Sequence, residues 1–188
     1  MTTPKAAVLA GLCVLLASAC TLAAPGTREQ DLDNACRAFV QGFYDWYVPQ
    51  ALADTAEPAW DLVLKEKGQV FSPELFRQLT ADAEAQAAAD GDLVGLDFDP
   101  FLSCQDCEAR YVIGEATRRG NTCSVDVSAM WSGVQRPTVV VLPEVRQQGT
   151  QWQFIDFHYP NPSRPEFESL LSQLKYLREL DRQMAHPK

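Results

Sequence analysis

Histidine is nearly absent from this chain: there are two, His158 and His186, and His186 lies in the C-terminal tail. A zinc site built on histidines at ligand spacing is therefore excluded. The single C-x-x-C, Cys104-Gln105-Asp106-Cys107, has no second such motif to complete one. Basic residues are scarce too. Sixteen Lys and Arg stand against 25 Asp and Glu over 188 residues, a formal charge of −9. Phosphate needs a cationic surface, so nucleic-acid binding through bulk charge is excluded. Beyond Ala24 no apolar run approaches spanning length, which excludes a multi-pass membrane protein. No G-x-S-x-G, P-loop or H-E-x-x-H sequence occurs, and no internal repeat. What remains is an ordinary globular balance, 46% hydrophobic and 22% charged.

The one long apolar stretch is at the start. Lys5 precedes an uncharged run from Ala6 to Ala19 that ends in small residues, the layout of a secretory signal peptide over residues 1–19. An uncleaved anchor is the competing reading, and the small residues at the end of the run argue against it. Leu16-Ala17-Ser18-Ala19-Cys20 resembles the lipobox of bacterial lipoproteins, with Ala17 where that class prefers a large aliphatic residue. Ala17-Ser18-Ala19 also suits ordinary signal peptidase. Cysteine arithmetic favours the lipoprotein. Cys13 leaves with the leader, and lipidation of Cys20 leaves Cys36, Cys104, Cys107 and Cys123, an even set for two disulfides in an oxidising compartment. Resemblance to lipoproteins implies an outer-membrane anchor facing the periplasm, because Thr21 rather than Asp follows the cysteine. The exported chain carries a charge of −10, since Lys5 is lost and no acid is.

Residues 20–30 read as a tether and 31–184 as one α+β domain. Cys36, Phe39, Val40, Phe43 and Tyr47 recur at helical spacing and predict a helix from Asp31 to Ala53. A shorter helix follows Pro58 and ends at Gly68. Ser72-Pro73 starts a third, with Ser72 as N-cap. Past Asp90-Gly91-Asp92 the period changes to two. Tyr111–Ala116, the alternating stretch from Thr122 to Trp131, Val139–Arg146 and Trp152–Tyr159 read as a four-stranded antiparallel meander with short turns. Ser163-Arg164-Pro165-Glu166 resembles a capping box. The helix after it would bury Phe167, Leu170, Leu171, Leu174 and Leu177. Helices, then a meander, then a helix make an α+β fold.

Three blocks in this order resemble an uncharacterised bacterial domain family of small exported proteins, many of them lipoproteins. They are Phe39-Val40-Gln41-Gly42-Phe43-Tyr44-Asp45-Trp46-Tyr47, then Asp97-Phe98-Asp99-Pro100-Phe101-Leu102 with Gln105-Asp106, then the strand from Trp152 to Pro160. The likeness spans roughly residues 35 to 180. It implies a cone of helices on a curved antiparallel sheet, like nuclear transport factor two, and it implies no activity. Enzymes and plain binding modules share that fold, so function has to be argued from residues.

Four groups of residues bear on function. Cys104 and Cys107 follow Pro100-Phe101-Leu102 and precede a strand, without the β-α-β frame of redox enzymes, and read as structural. Four cysteines allow three connectivities. Cys36 and Cys123 both fall on buried faces, which favours Cys36–Cys123 with Cys104–Cys107. Asp156 and His158, two apart on a strand with Trp152 and Phe154, share a face and are the candidate acid–base pair of an enzyme. Ordinary strand-end hydrogen bonding is the simpler reading of the same pair. Between Ala81 and Ala109 eight acids occur without a Lys or Arg. Asp90, Asp92, Asp97, Asp99, Asp106 and Glu108 are the candidates for docking a cationic partner, such as an envelope-targeted enzyme that the protein would inhibit. A solvated acidic face is the plainer alternative, and the spacing does not match a calcium loop. The expectation is an exported binding module without cofactor. It takes a small ligand or a cationic protein and touches membrane only through an N-terminal lipid.

Overall fold

The alternation from Thr122 to Met130 forms the second strand of a four-stranded antiparallel sheet in the computed structural model, which describes residues 28–53, 58–89, 94–105, 107, 110–132, 137–160 and 165–185. The strands are β1 (Arg110–Arg119), β2 (Thr122–Met130), β3 (Thr138–Gln148) and β4 (Gln151–His158), in spatial order β1-β2-β3-β4. Along β2 every second residue is buried, and Cys123, Val125, Val127 and Ala129 face the core. Gly120 and Gly149 turn the β1–β2 and β3–β4 connections at φ +63, which a side chain disfavours. Each of the three pairings contains a register shift, at Ile113/Ala116, Val127/Ser128 and Glu144/Val145. Bulges bend strands and increase their twist, so the sheet curves.

Among the described residues three α-helices precede the sheet and one follows it: α1 (Arg28–Ala51), α2 (Ala59–Lys67), α3 (Pro73–Ala88) and α4 (Leu170–Ala185). Helix α1 starts earlier than its apolar stripe suggests, so residues 28–30 of the expected tether are helical. Glu29 and Asp31 sit in the first turn, where the helix dipole favours acids, and Asp33 and Glu29 pair with Arg118 on β1. The Arg37 guanidinium donates to the carbonyls of Ile113 (3.0 Å) and Gly114 (2.8 Å), beside the register shift of β1. At Gly114 a Cβ would stand 3.1 Å from that of Asp126, a tight contact. Helix α3 begins as read, with Ser72 Oγ accepting from the Leu75 N–H.

Helix α4 departs from expectation. Residues 165–167 form a short 3-10 turn, and α4 starts only at Leu170. Its capping box is Ser169-Leu170-Leu171-Ser172. Ser169 Oγ accepts the Ser172 N–H and Ser172 Oγ accepts the Ser169 N–H. Leu170 and Leu174 are buried, with Leu171 and Leu177 packed beside them.

The space between helices and sheet is filled with rings. Phe43 lies 4.8 Å from Phe154 and 5.4 Å from Tyr47, and Phe157 lies 4.9 Å from Phe101 and 5.0 Å from Phe154, centroid to centroid. A disulfide joins Cys36 of α1 to Cys123 of β2 inside this core, and a second joins Cys104 to Cys107. The stripe residues Phe43 and Tyr47 are buried. Phe39 and Trp46 are half-buried at its margin, with Lys67 Nζ 5.2 Å above the Trp46 ring. Among the described residues no helix is long and apolar enough to cross a membrane.

Candidate functional site

Strand β4 does not keep its period. Glu144 pairs with Asp156 while Val145 pairs with Phe154, so Ile155 is an extra residue. Phe154 and Phe157, three apart, therefore both point into the core and are fully buried. Trp152 packs on that same core side. The face expected to hold Trp152, Phe154, Asp156 and His158 together is thus split by the bulge, and only Asp156 and His158 look away from the core.

Nor do those two form a pair with each other. Asp156 Oδ1 accepts the N–H of Phe157 (2.8 Å) and of Leu171 (3.0 Å) and so holds the first turn of α4 against β4. His158 Nε2 meets Glu144 Oε2 at 3.1 Å, across to β3. Glu144 and His158 line an open groove of about 450 Å³ on the outer sheet face, with Asp126, Ser124, Arg119 and Glu168. An imidazole beside a carboxylate can pass a proton to solvent there. Glu144 was not singled out in the sequence. Counting back from the β3–β4 turn places it opposite Ile155, and only the bulge moves it opposite Asp156.

The acidic segment divides in two. Asp97 is exposed and takes a hydrogen bond from Gln105. Asp99, by contrast, is half-buried and its carboxylate is already engaged within the protein. Its Oδ1 accepts the N–H of Phe101 (2.9 Å) and Leu102 (3.0 Å), and its Oδ2 accepts the Tyr47 hydroxyl at 2.6 Å. Burial pushes its carboxyl up to about 6, against the lowering effect of those hydrogen bonds. Asp82 is withdrawn as well. Its Oδ2 accepts from Leu96 N (3.2 Å) and Gln86 Nε2 (2.9 Å), and burial raises its carboxyl above the usual range. Gly95, at φ +79, passes so close that a Cβ would come within 2.7 Å of the Asp82 carboxylate. Asp90, Asp92, Asp106 and Glu108 lie outside the described residues, as does Cys20.

Four tyrosines converge on the turn from Asp99 to Cys104. Besides Tyr47, Tyr44 donates to Phe101 O (2.7 Å), Tyr159 donates to Pro100 O (3.0 Å), and the Tyr111 hydroxyl lies 3.3 Å from Cys104 Sγ. Burial first, and the Asp99 charge with it, raises the phenols of Tyr44, Tyr47 and Tyr159 well above the ordinary value and Tyr111 to about 12. This arrangement makes the Cys104–Cys107 clip part of a pinned loop. Among the described residues no group of three or more His, Cys, Asp or Glu is placed to hold a metal ion.

No protein-family model matches the sequence, and no curated protein does either. Part of the backbone is similar to a protein of unknown function from Bacteroides thetaiotaomicron, at 18% identity over 69% of this chain and 92% of that one, TM-score 0.48. It is also similar to a chain of the type VI effector–immunity complex Tae3–Tai3 from Ralstonia pickettii, at 20% identity over 68% of this chain and 96% of that one, TM-score 0.46. A selenomethionine form of that complex gives 22%, 68%, 98% and 0.45. Likenesses of this size assign the chain neither a family nor a role.

Proposed function

We propose that this protein is an exported, non-catalytic binding module that meets its partner on its surface. The filled interior carries this reading. Phe43, Phe71, Phe101, Phe154 and Phe157 occupy the space beneath the sheet where a cone fold would otherwise hold a ligand. The hollows lined by described residues are open grooves, and the pair that would serve an enzyme, Asp156 and His158, is divided between a helix cap and a hydrogen-bond contact with Glu144. The two disulfides support an oxidising compartment. Within this proposal the leader ends before Cys20, which carries lipid and holds residues 31–184 as one domain at the outer membrane, facing the periplasm. Helices packed on a curved antiparallel sheet support kinship with nuclear-transport-factor-two-like cones.

The partner we favour is a cationic protein, because the chain carries −9 and Asp97 remains exposed next to the undescribed acids of the same segment. The test is capture from an envelope extract on the immobilised mature protein. A cationic protein is expected to bind near one to one at low salt, to leave as salt rises, and to be lost with Asp97→Lys combined with Glu108→Lys. No retained protein at any salt, or retention indifferent to charge reversal, would overturn the cationic-partner reading. In that case native mass spectrometry of protein taken from cells decides whether a small ligand is bound instead. The mass of the N-terminal peptide decides the lipid on Cys20.

A further inference from the structure

The two disulfides differ in access and in span. Cys36 and Cys123 are 0% and 1% exposed inside the core, and their bond closes a separation of 87 residues. Cys104 and Cys107 are both half-buried, with a separation of only 3. Cys107 lines an open groove of about 400 Å³ together with Trp60, Asp97, Phe98, Asp99 and Gln105, whereas Cys104 does not line it. Cys104 Sγ instead lies 3.3 Å from the Tyr111 hydroxyl. A sulfur in a disulfide carries no hydrogen, so the phenol is the donor of that contact. The turn has closures other than the clip. Asp99 N–H donates to Cys104 O and Ser103 N–H to Asp99 O, both at 2.8 Å. Tyr44 and Tyr159 hold the carbonyls of Phe101 and Pro100 in the same turn. These bonds keep the loop in place when the two sulfurs part.

We propose that the Cys104–Cys107 disulfide is a thiol–disulfide exchange site, at which Cys107 is attacked by a dithiol entering through the groove and Cys104 is the leaving sulfur. The incoming thiolate attacks Cys107 Sγ. A bond forms between those two sulfurs as the Cys104–Cys107 bond breaks, and the electron pair of the broken bond stays on Cys104 Sγ. Tyr111, already donating to that sulfur, stabilises the new thiolate until solvent protonates it. The second thiolate of the dithiol then attacks the sulfur of the first, and Cys107 leaves as a thiolate. The dithiol is oxidised by two electrons to a disulfide, and the clip is reduced to two thiols. The short span favours this bond over the other. A closed loop of so few residues gives little chain-entropy stabilisation, so the clip opens more readily than the Cys36–Cys123 tie. Asp97 and Asp99 in the groove repel a thiolate that brings further negative charge, so the site suits a dithiol whose remaining groups are neutral or cationic. This step goes beyond surface binding, and it stands whether or not the partner met on the acidic surface is a cationic protein.

The experiment exposes the folded mature protein to cysteamine, a cationic monothiol that halts the exchange at the mixed disulfide. Iodoacetamide then blocks free thiols, and peptide masses locate each adduct. Cysteamine is expected on Cys107 and the iodoacetamide label on Cys104, with Cys36–Cys123 still closed. The anionic thiol mercaptopropionate is expected to react about tenfold more slowly, each rate being divided by that of the same thiol on a small neutral disulfide. Tyr111→Phe is expected to slow opening by cysteamine about tenfold, with the adduct still on Cys107. An adduct mainly on Cys104, equal normalised rates for the two thiols, or a clip that opens only together with Cys36–Cys123 would overturn the proposal. Should Tyr111→Phe not fold, the adduct position and the two rates in the native protein decide.

Discussion

Tyr47 shows how one hydroxyl links helix, loop and charge. It is fully buried, and its proton goes to Asp99 at 2.6 Å. Removing that donor leaves an enclosed carboxylate with only the amides of Phe101 and Leu102, and a hydrogen bond to a buried charge contributes about 2 kcal/mol. Tyr47→Phe is accordingly expected to lose about that much stability at pH 7 and less at pH 5, where the carboxyl is protonated. Urea unfolding at the two pH values checks it, and an equal loss at both would show that the tyrosine acts by packing alone. The same residue marks a limit of sequence reading. Tyr47 falls on the apolar stripe of α1 and is legible as core, but nothing in its spacing reveals that Asp99, 52 residues away, is its acceptor.

Among the elements, α4 and β4 are the instructive ones. Both were legible as a helix and a strand, and both were misplaced in detail for local reasons. The Ser-x-x-Glu pattern at 163–166 resembles a cap, but the backbone hydrogen bonds of the first turn are taken by Ser169, Ser172 and Asp156. An N-cap serine is worth about 1 kcal/mol, so Ser169→Ala is expected to lower stability by that amount, and to speed amide exchange in the first turn of α4 before the rest of the helix. Unchanged stability would mean that Asp156 alone suffices as the cap. In β4 one extra residue, Ile155, cancels the period of two halfway along the strand. A bulge is set by how the partner strand and the core press on the chain, and the residues of one strand do not announce it.

For the molecule as a whole, the Cys36–Cys123 disulfide is the long tie. It closes a separation of 87 residues and joins the first helix to the sheet. In the chain-entropy account a loop of that size contributes about 4 to 5 kcal/mol, whereas the Cys104–Cys107 clip, with a separation of 3, contributes about 2. Replacing Cys36 and Cys123 together by Ser should thus cost clearly more than replacing Cys104 and Cys107. Guanidinium unfolding of the two double variants compares them, and the reverse order would assign the clip a larger part in the fold than its span allows. The packed aromatic interior acts at the same scale, since it leaves surface grooves as the places where a partner can be met.

Composition and periodicity were enough for the α+β class, the antiparallel meander, the helical stripe from Cys36 to Tyr47 and the N-cap at Ser72. Each of these depends on contacts a few residues apart or on a regular burial pattern that one strand or helix displays alone. The roles of the acids were decided only in three dimensions. Asp82, Asp97 and Asp99 look alike along the chain. The fold exposes the second, buries the first and ties the third to inward-facing donors, because Leu96, Phe101 and Leu102 are drawn into the core and their backbone N–H groups need acceptors there. His158 likewise acquired Glu144 as its neighbour through strand register, a relation between distant segments that no local spacing encodes.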